Sequence, residues 1–136
     1  MPVAAGILQF ALWAWFLGCV TTYRVRGRIL VEGMGIKSAE FAALCLYTCG
    51  LAAYYGFHAA GRWILFAILL LWFAVQFLCH WRYTLFGASR EKLDGYNRCF
   101  QNTLRILPAS GTRLVPDLYH IVLHVLILLN LAACLV

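Results

Sequence analysis

Four stretches of the chain are almost entirely apolar, and each is about as long as a helix must be to cross a membrane. Roughly 20 apolar residues in a helix span the hydrocarbon layer of a bilayer, which is about 30 Å thick. The pattern therefore predicts an all-α fold, an integral membrane four-helix bundle that forms one transmembrane domain over residues 1–136. The predicted transmembrane stretches are residues 3–22, 39–59, 63–81 and 118–136.

A further, amphipathic helix is predicted over residues 89–107, between the third and fourth transmembrane helices. Ser89 belongs to the residue types that cap helix N-termini, and Pro108 ends the pattern. Most charged side chains of this segment lie off its apolar stripe, as in a helix on a surface. The apolar positions at helical spacing are Leu93, Tyr96, Phe100, Leu104 and Leu107.

Composition places the chain outside the range of soluble domains. It is 64% hydrophobic and 12% charged, with a mean hydropathy of +0.81, whereas soluble domains are about one quarter charged. No Lys or Arg precedes the first apolar stretch, which is also too long for a typical secretory signal, so we expect this stretch to be retained. The 6 cysteines include no Cys-x-x-Cys pair, so neither a disulfide framework nor a zinc knuckle is indicated.

Basic residues are concentrated in two of the three predicted loops. Of the 11 Lys and Arg residues, all but Arg62 lie in residues 23–38 and 82–117. By the positive-inside rule these two loops are cytoplasmic and both termini lie outside. We expect anionic lipids to be partners of the basic loops. Aromatic interleaving of the kind that binds nucleic acid is missing, so no nucleic-acid partner is predicted.

Small residues recur at four-residue spacing on the first two predicted helices. Gly18 belongs to such a ridge on the first helix, and Ala52, Gly56 and Ala60 form one on the second. Small side chains allow two helix backbones to approach closely in a membrane. We therefore predict that these residues pack helices together, within one chain, in a homo-oligomer or against a partner membrane subunit.

Ionisable side chains are concentrated at the start of the fourth apolar stretch. At about 100° per residue, Asp117, His120 and His124 fall on one face of a helix. Gln76 and His80 share a face at the end of the third helix. The predicted topology brings both sets to the same depth at the inner leaflet, so the pattern predicts a polar site there that binds a metal ion or carries protons.

Each of these residues also has a purely structural interpretation. Asp117 is a good partner for the positive end of a helix dipole, and the histidines can hydrogen-bond neighbouring helices. Glu40, an additional candidate for the site, follows a predicted Ser38 cap and fits the first turn of the second helix. His58 is expected to be solvated in the outer turn. Gln9 and Asn130, predicted at a similar outer depth, are candidates for an amide pair.

Two classes of function remain open, with a third of lesser weight. We favour a non-enzymatic, oligomeric transport or channel-type protein, or a small subunit of a membrane assembly. The alternative is a membrane-embedded enzyme that acts on a lipid-soluble substrate. A transition metal held by His80, His120 and His124, or, less favoured, a haem between His80 and His124, is its expected cofactor. The third interpretation is an interaction or immunity-type protein that docks through its amphipathic segment.

Overall fold

The chain folds mainly into helices, which confirms the all-α class. A computed structural model describes residues 3–136, apart from the side chain of His58, so the prediction for that side chain lies outside the described residues. The helices are α1 (Val3–Phe16), α2 (Ala39–Gly56), α3 (His58–Gln76), α4 (Arg82–Phe86), α5 (Arg90–Cys99) and α6 (Leu118–Leu135). A 3₁₀ turn, Leu17–Cys19, extends α1, and a π-helical turn, Phe77–Trp81, joins α3 to α4. Two short strands, β1 (Tyr23–Val25) and β2 (Arg28–Val31), follow α1.

Two helices are long and apolar enough to cross a membrane. They are the continuous helix Ala59–Phe86, with 28 residues, and α6, with 18. The apolar helix Val3–Cys19 is shorter, and α2 has the required 18 residues but carries tyrosines, glycines and a threonine among its apolar side chains. Length and composition in the structure thus support two of the four predicted membrane helices.

The first helix ends earlier than predicted because β1 and β2 form a β-hairpin that packs against its end. Arg26 and Gly27 make the two-residue turn with φ of 50° and 79°, left-handed values that suit the twist of a hairpin. The backbone N–H of Met34 donates to the carbonyl of Cys19 at 2.7 Å, so the returning chain caps the end of α1. The predicted loop of residues 23–38 therefore contains a β-hairpin formed by β1 and β2.

The turn between α2 and α3 is tighter than predicted. The second helix ends at Gly56, one residue before Phe57, and the third begins at His58 rather than at residue 63. Gly61 faces the carbonyl oxygen of Ala53 so closely that a Cβ atom would overlap it. This missing side chain allows α2 and α3 to pack along their length, and α6 then packs on α3 and on α1.

The predicted packing residues behave differently on the two helices. A Cβ atom on Gly18 would lie 2.8 Å from the side chains of Tyr23 and Val31, so Gly18 does permit close packing, against the hairpin. The predicted ridge on the second helix is wrong, because α2 ends at Gly56 and Ala60 lies in α3. Ala52, Gly56 and Ala60 are all exposed, and no atom lies within 4 Å of a Cβ built on Gly56. Within one chain these three residues pack no helix, so their predicted role applies only to an interface with another subunit.

The amphipathic helix is shorter than predicted. It begins after Ser89, whose hydroxyl accepts a hydrogen bond from Lys92 N, but it ends at Cys99 instead of residue 107. The reason is that the following backbone pairs with the hairpin. The N–H of Leu104 donates to the carbonyl of Ile29 at 3.0 Å, and Leu104 in turn accepts from the N–H of Leu118.

The main core lies where α1, α2, α3 and α6 meet. Phe16 and Tyr47 both contact the ring of Trp72, with ring centroids 4.2 and 5.6 Å away. The predicted pair of Gln9 with Asn130 is not found. Fully buried apolar side chains in this core include Leu12, Tyr47, Leu65, Leu69, Tyr119, Leu123 and Ile127.

Candidate functional site at the start of α6

Asp117 and His120 form a hydrogen-bonded pair at the N-terminus of α6. The Oδ1 atom of Asp117 accepts from the backbone N–H of His120 at 3.0 Å and lies 2.7 Å from Nδ1 of His120. Asp117 therefore caps α6, whereas the sequence predicted only that its carboxylate lies at the positive end of the helix dipole. A carboxylate can only accept, so Nδ1 carries the proton and Nε2 is left free for acid-base chemistry. Burial raises the pKa of Asp117, but its hydrogen bonds and its attraction to His120 outweigh this, and the pKa lies below its usual value.

A π-helical turn brings the end of the third helix onto this pair. In a regular α-helix, Gln76 and His80 share a face, and Trp81 points about 100° away from His80. The π-turn Phe77–Trp81 bonds residues five apart, so Gln76 and Trp81 come into line and both reach His124. Such turns are frequent at functional sites.

His124 is held in one protonation form by these two neighbours. The indole Nε1 of Trp81 lies 2.8 Å from Nδ1 of His124, and an indole nitrogen can only donate. Nδ1 therefore accepts, so the neutral ring carries its proton on Nε2, which donates to Oε1 of Gln76 at 3.2 Å. Both nitrogens of His124 are thus used inside the protein, in the structural role that was the alternative to a metal or proton site.

His80 lies between the Asp117–His120 pair and α5. Its ring centroid is 4.5 Å from that of His120 and 5.8 Å from that of His124, so the three predicted imidazoles do come together. Nδ1 of His80 is 3.3 Å from the hydroxyl of Tyr96. His80, His120 and Tyr96 are each 8% exposed. Burial, together with the negative charge of Asp117, raises the pKa of Tyr96.

The segment from α5 to α6 covers the cluster from outside the helix bundle. Tyr96 packs with Leu93 and Leu114 in a second apolar cluster. Phe100 places its ring 5.1 Å from that of His120, edge to face. A surface pocket of about 440 Å³ lies on the outer side of α5, and Tyr96 forms part of its wall. The cluster is therefore close to the surface at Tyr96 and otherwise enclosed.

The metal centre expected from the sequence is not found in the described part of the chain. Within residues 3–136, no group of three His, Cys, Asp or Glu side chains is arranged to hold a metal ion. Hydrogen bonds account for this in part, because His124 uses both ring nitrogens and His120 uses Nδ1. Glu40 lies in the first turn of α2, after the confirmed Ser38 cap, and no hydrogen bond or ion pair of the described residues joins it to the histidines.

Sequence reasoning missed the two aromatic partners of the histidines. The sequence pattern predicts no role for Trp81 in the site, and it predicts Tyr96 only as part of the amphipathic stripe. Their roles depend on the π-turn and on the way α5 folds back, neither of which has a clear sequence signal. The adjacency of Trp81 to His80 was the one available hint.

Comparisons with protein-family models, with curated proteins and with solved structures give no match. The structure itself gives the class, all-α, and among the described residues two helices are long and apolar enough to cross a membrane. A function has to be inferred from the buried polar cluster.

Proposed function

We propose that the protein is a small polytopic membrane protein of the transport type whose histidine cluster moves protons at the inner leaflet. The observation that carries this proposal is the line of titratable groups Asp117, His120, His80 and Tyr96, each in contact with the next. Histidine is suited to this role because each ring nitrogen is able to donate or accept a hydrogen bond, so a proton can enter at one nitrogen and leave from the other. Ionisable groups inside a membrane protein are costly to keep, which favours a functional role.

The proposal places all four long helices across the membrane. At about 1.5 Å per residue, the 18 residues of α2 extend for about 27 Å, close to the thickness of the hydrocarbon layer. Large apolar side chains are exposed on each of these helices, including Ile7 on α1, Leu46 on α2, Leu71 on α3 and Val125 on α6. The distribution of basic residues supports an orientation with residues 23–38 and 82–117 in the cytoplasm and both termini outside.

The proton path begins at the Asp117–His120 pair. With Nδ1 of His120 bound to the carboxylate, only Nε2 exchanges a proton, and the neighbouring ring is that of His80. Tyr96 connects His80 to the wall of the surface pocket beside α5. His124 lies next to this path but is not part of it, because both of its ring nitrogens are hydrogen-bonded to Trp81 and Gln76.

A path through the whole membrane requires more than one chain. Leu65, Leu69, Leu123 and Ile127 are fully buried between the helices, so the centre of a single chain is closed. The exposed small residues Ala52 and Gly56 on α2, with Ala60 in the first turn of α3, provide a face for close helix contact with a second copy or with a partner membrane subunit. We also propose anionic lipids as partners of the basic loops, and we propose no nucleic-acid partner.

The Asp117–His120 pair also supports a second candidate, an enzyme that acts on a lipid-soluble substrate by acid-base catalysis. A carboxylate that fixes the tautomer of an imidazole prepares its free Nε2 to act as a general base. Against this candidate, Tyr96 and Phe100 enclose the pair, and the described residues place no nucleophile beside Nε2. We therefore retain the transport function.

Proton flux into liposomes tests the proposal. The purified protein is reconstituted with a pH-sensitive dye inside the vesicles, and an inward proton gradient is applied. We expect wild-type protein to acidify the interior, and His120→Gln, which retains a polar side chain but cannot titrate, to lower the rate by about tenfold or more. Arg98→Gln, on the exposed face of α5, is the control and leaves the rate unchanged. If wild-type protein moves no protons, the proposal is wrong.

A further inference from the structure

A cleft of about 350 Å³ lies between α1 and α2, far from the histidines. The backbone of Leu8, beside the cleft, accepts from Asn130 at 3.1 Å, which places the cleft about ten residues, or roughly 15 Å, along α6 from His120. Its volume falls within the range of small-molecule sites, about 300–1,000 Å³. Its lining residues are Gly6, Gln9, Phe10, Trp13, Leu51 and Tyr55.

Gln9 gives the cleft a polar group with unused hydrogen-bonding capacity. The side chain is only 2% exposed, and the Tyr55 hydroxyl donates to its Oε1 at 2.6 Å. Its amide nitrogen, which has two protons to donate, has no hydrogen-bond acceptor among the atoms that the structure describes, which leave out the side chain of His58. Water is scarce in the hydrocarbon layer, so an unpaired donor at this depth favours a ligand that supplies an acceptor.

The walls of the cleft are flat and aromatic. The rings of Phe10 and Trp13 are stacked at 19° with centroids 6.4 Å apart. Trp13 is held in place by a hydrogen bond from its Nε1 to the hydroxyl of Thr48 at 3.0 Å. Gly6 leaves the opposite side open, since a Cβ atom there would reach to 3.4 Å from the Tyr55 hydroxyl. A planar ring fits this shape better than a flexible chain does.

The depth of Gln9 distinguishes between two sources of an acceptor oxygen. Gln9 is six residues from Val3, the first described residue of α1, which places it about 9 Å along the helix. The ester carbonyls of membrane lipids lie in the interfacial layer outside the hydrocarbon core. A carbonyl on the ring of a lipid-soluble compound is able to reach the greater depth.

We propose that this cleft binds a lipid-soluble molecule with a planar, carbonyl-bearing ring, the chemistry of a quinone. The carbonyl accepts from the amide nitrogen of Gln9, and the ring lies against Phe10 and Trp13. The apolar tail leaves the cleft into the surrounding lipid. The depth of this site rests on the proposed crossing of the membrane by α1. The site shares no residue with the proton path, so failure of the flux experiment and failure of quinone binding are separate outcomes.

Binding of decylubiquinone to the purified protein in detergent tests this site. Quenching of tryptophan fluorescence follows the titration, because Trp13 is in the wall of the cleft. We expect saturable quenching by wild-type protein and about tenfold weaker binding by Gln9→Met, a loss of about 1.4 kcal/mol. Gln101→Met, the same substitution at an exposed amide, is the control and binds as wild type does.

Two further measurements test the site: a variant that fills the cleft, and competition of the quinone with two other apolar compounds. Gly6→Leu places a side chain in the cleft without removing any hydrogen bond, and it abolishes binding even if Gln9→Met does not fold. Neither decylbenzene, which lacks a carbonyl, nor a short-chain phosphatidylcholine displaces the quinone. Displacement by the phosphatidylcholine identifies a lipid ester as the occupant and overturns the proposal, as does displacement by decylbenzene. Quenching that does not saturate, or that is unchanged in Gly6→Leu, overturns it equally.

Discussion

The indole nitrogen of Trp81 donates to Nδ1 of His124 across 2.8 Å, between the third helix and α6. Together with the hydrogen bond from Nε2 to Gln76, this contact occupies both ring nitrogens of His124 and distinguishes it from His80 and His120. His124 has no free nitrogen, whereas His120 and His80 each retain hydrogen-bonding capacity towards one another and towards Tyr96.

His124 and His120 should be opposite tautomers. His124 accepts at Nδ1 and is protonated at Nε2, whereas His120 is protonated at Nδ1 because Asp117 accepts there. Nitrogen-15 NMR of selectively labelled protein in micelles distinguishes the two forms by the shifts of the ring nitrogens. A proton on Nδ1 of His124 at neutral pH would show that the Trp81 hydrogen bond is not formed.

Trp81→Phe should destabilise the protein. The phenyl ring fills most of the space of the indole but has no N–H group. Nδ1 of His124 therefore loses its donor and becomes an unsatisfied buried acceptor, at a cost of about 1–3 kcal/mol. Denaturant unfolding in micelles measures the change. Trp63→Phe is the matched control, because Trp63 is 53% exposed and donates no hydrogen bond to the described residues, so its loss should change stability little. Equal effects of the two substitutions contradict the assigned role of Trp81.

Asp117→Asn should remove a pH-dependent part of the stability. Because the folded-state pKa of Asp117 is below its unfolded value of about 3.9, its stabilisation is present above that value and is lost as pH falls through the lower, folded pKa. We expect the variant to be less stable than wild type at pH 6 and the difference to shrink below about pH 4. Asparagine still caps a helix, so the cap itself is retained.

Thermal unfolding across this pH range is the measurement for Asp117→Asn. Asp94→Asn, the same change at an exposed position of α5, is the control and should follow the wild-type curve. A stability difference for Asp117→Asn that stays constant from pH 3 to pH 7 is incompatible with an ionised, hydrogen-bonded carboxylate.

Gly61→Ala should disrupt the α2–α3 hairpin, and Gly56→Ala should not. The added methyl group at position 61 overlaps the carbonyl oxygen of Ala53, whereas nothing lies within 4 Å of a Cβ atom at position 56. Backbone displacement of this kind costs at least about 1–3 kcal/mol. Unfolding curves and the yield of monodisperse protein compare the two variants. If Gly61→Ala is as stable as wild type, the two helices do not approach as closely as described.

Much of the fold was predictable because it depends on local sequence. The long apolar stretches indicate the helices, and Ser38 and Ser89 mark the starts of two of them, each confirmed by a capping hydrogen bond. The hairpin was missed because its strands are only three and four residues long, and the turn Arg26-Gly27 is not one of the strongest hairpin signals.

The candidate site was predictable in position but not in its bonding. Helical spacing places Asp117, His120 and His124 on one face and His80 opposite them. Which nitrogen is bonded to which partner depends on the π-turn at the end of α3, a tertiary feature that allows Gln76 and Trp81 to reach the same ring. For the same reason, the sequence pattern did not separate His124 from the two histidines of the proposed path.

The most direct test of the proton path is the flux through His80→Gln in liposomes. His80 is the middle member of the line, and glutamine retains hydrogen bonding to Tyr96 while it removes the titrating ring. We predict that the rate of proton entry falls by about tenfold or more relative to wild type, with the fold retained. A rate equal to that of wild type would contradict the account.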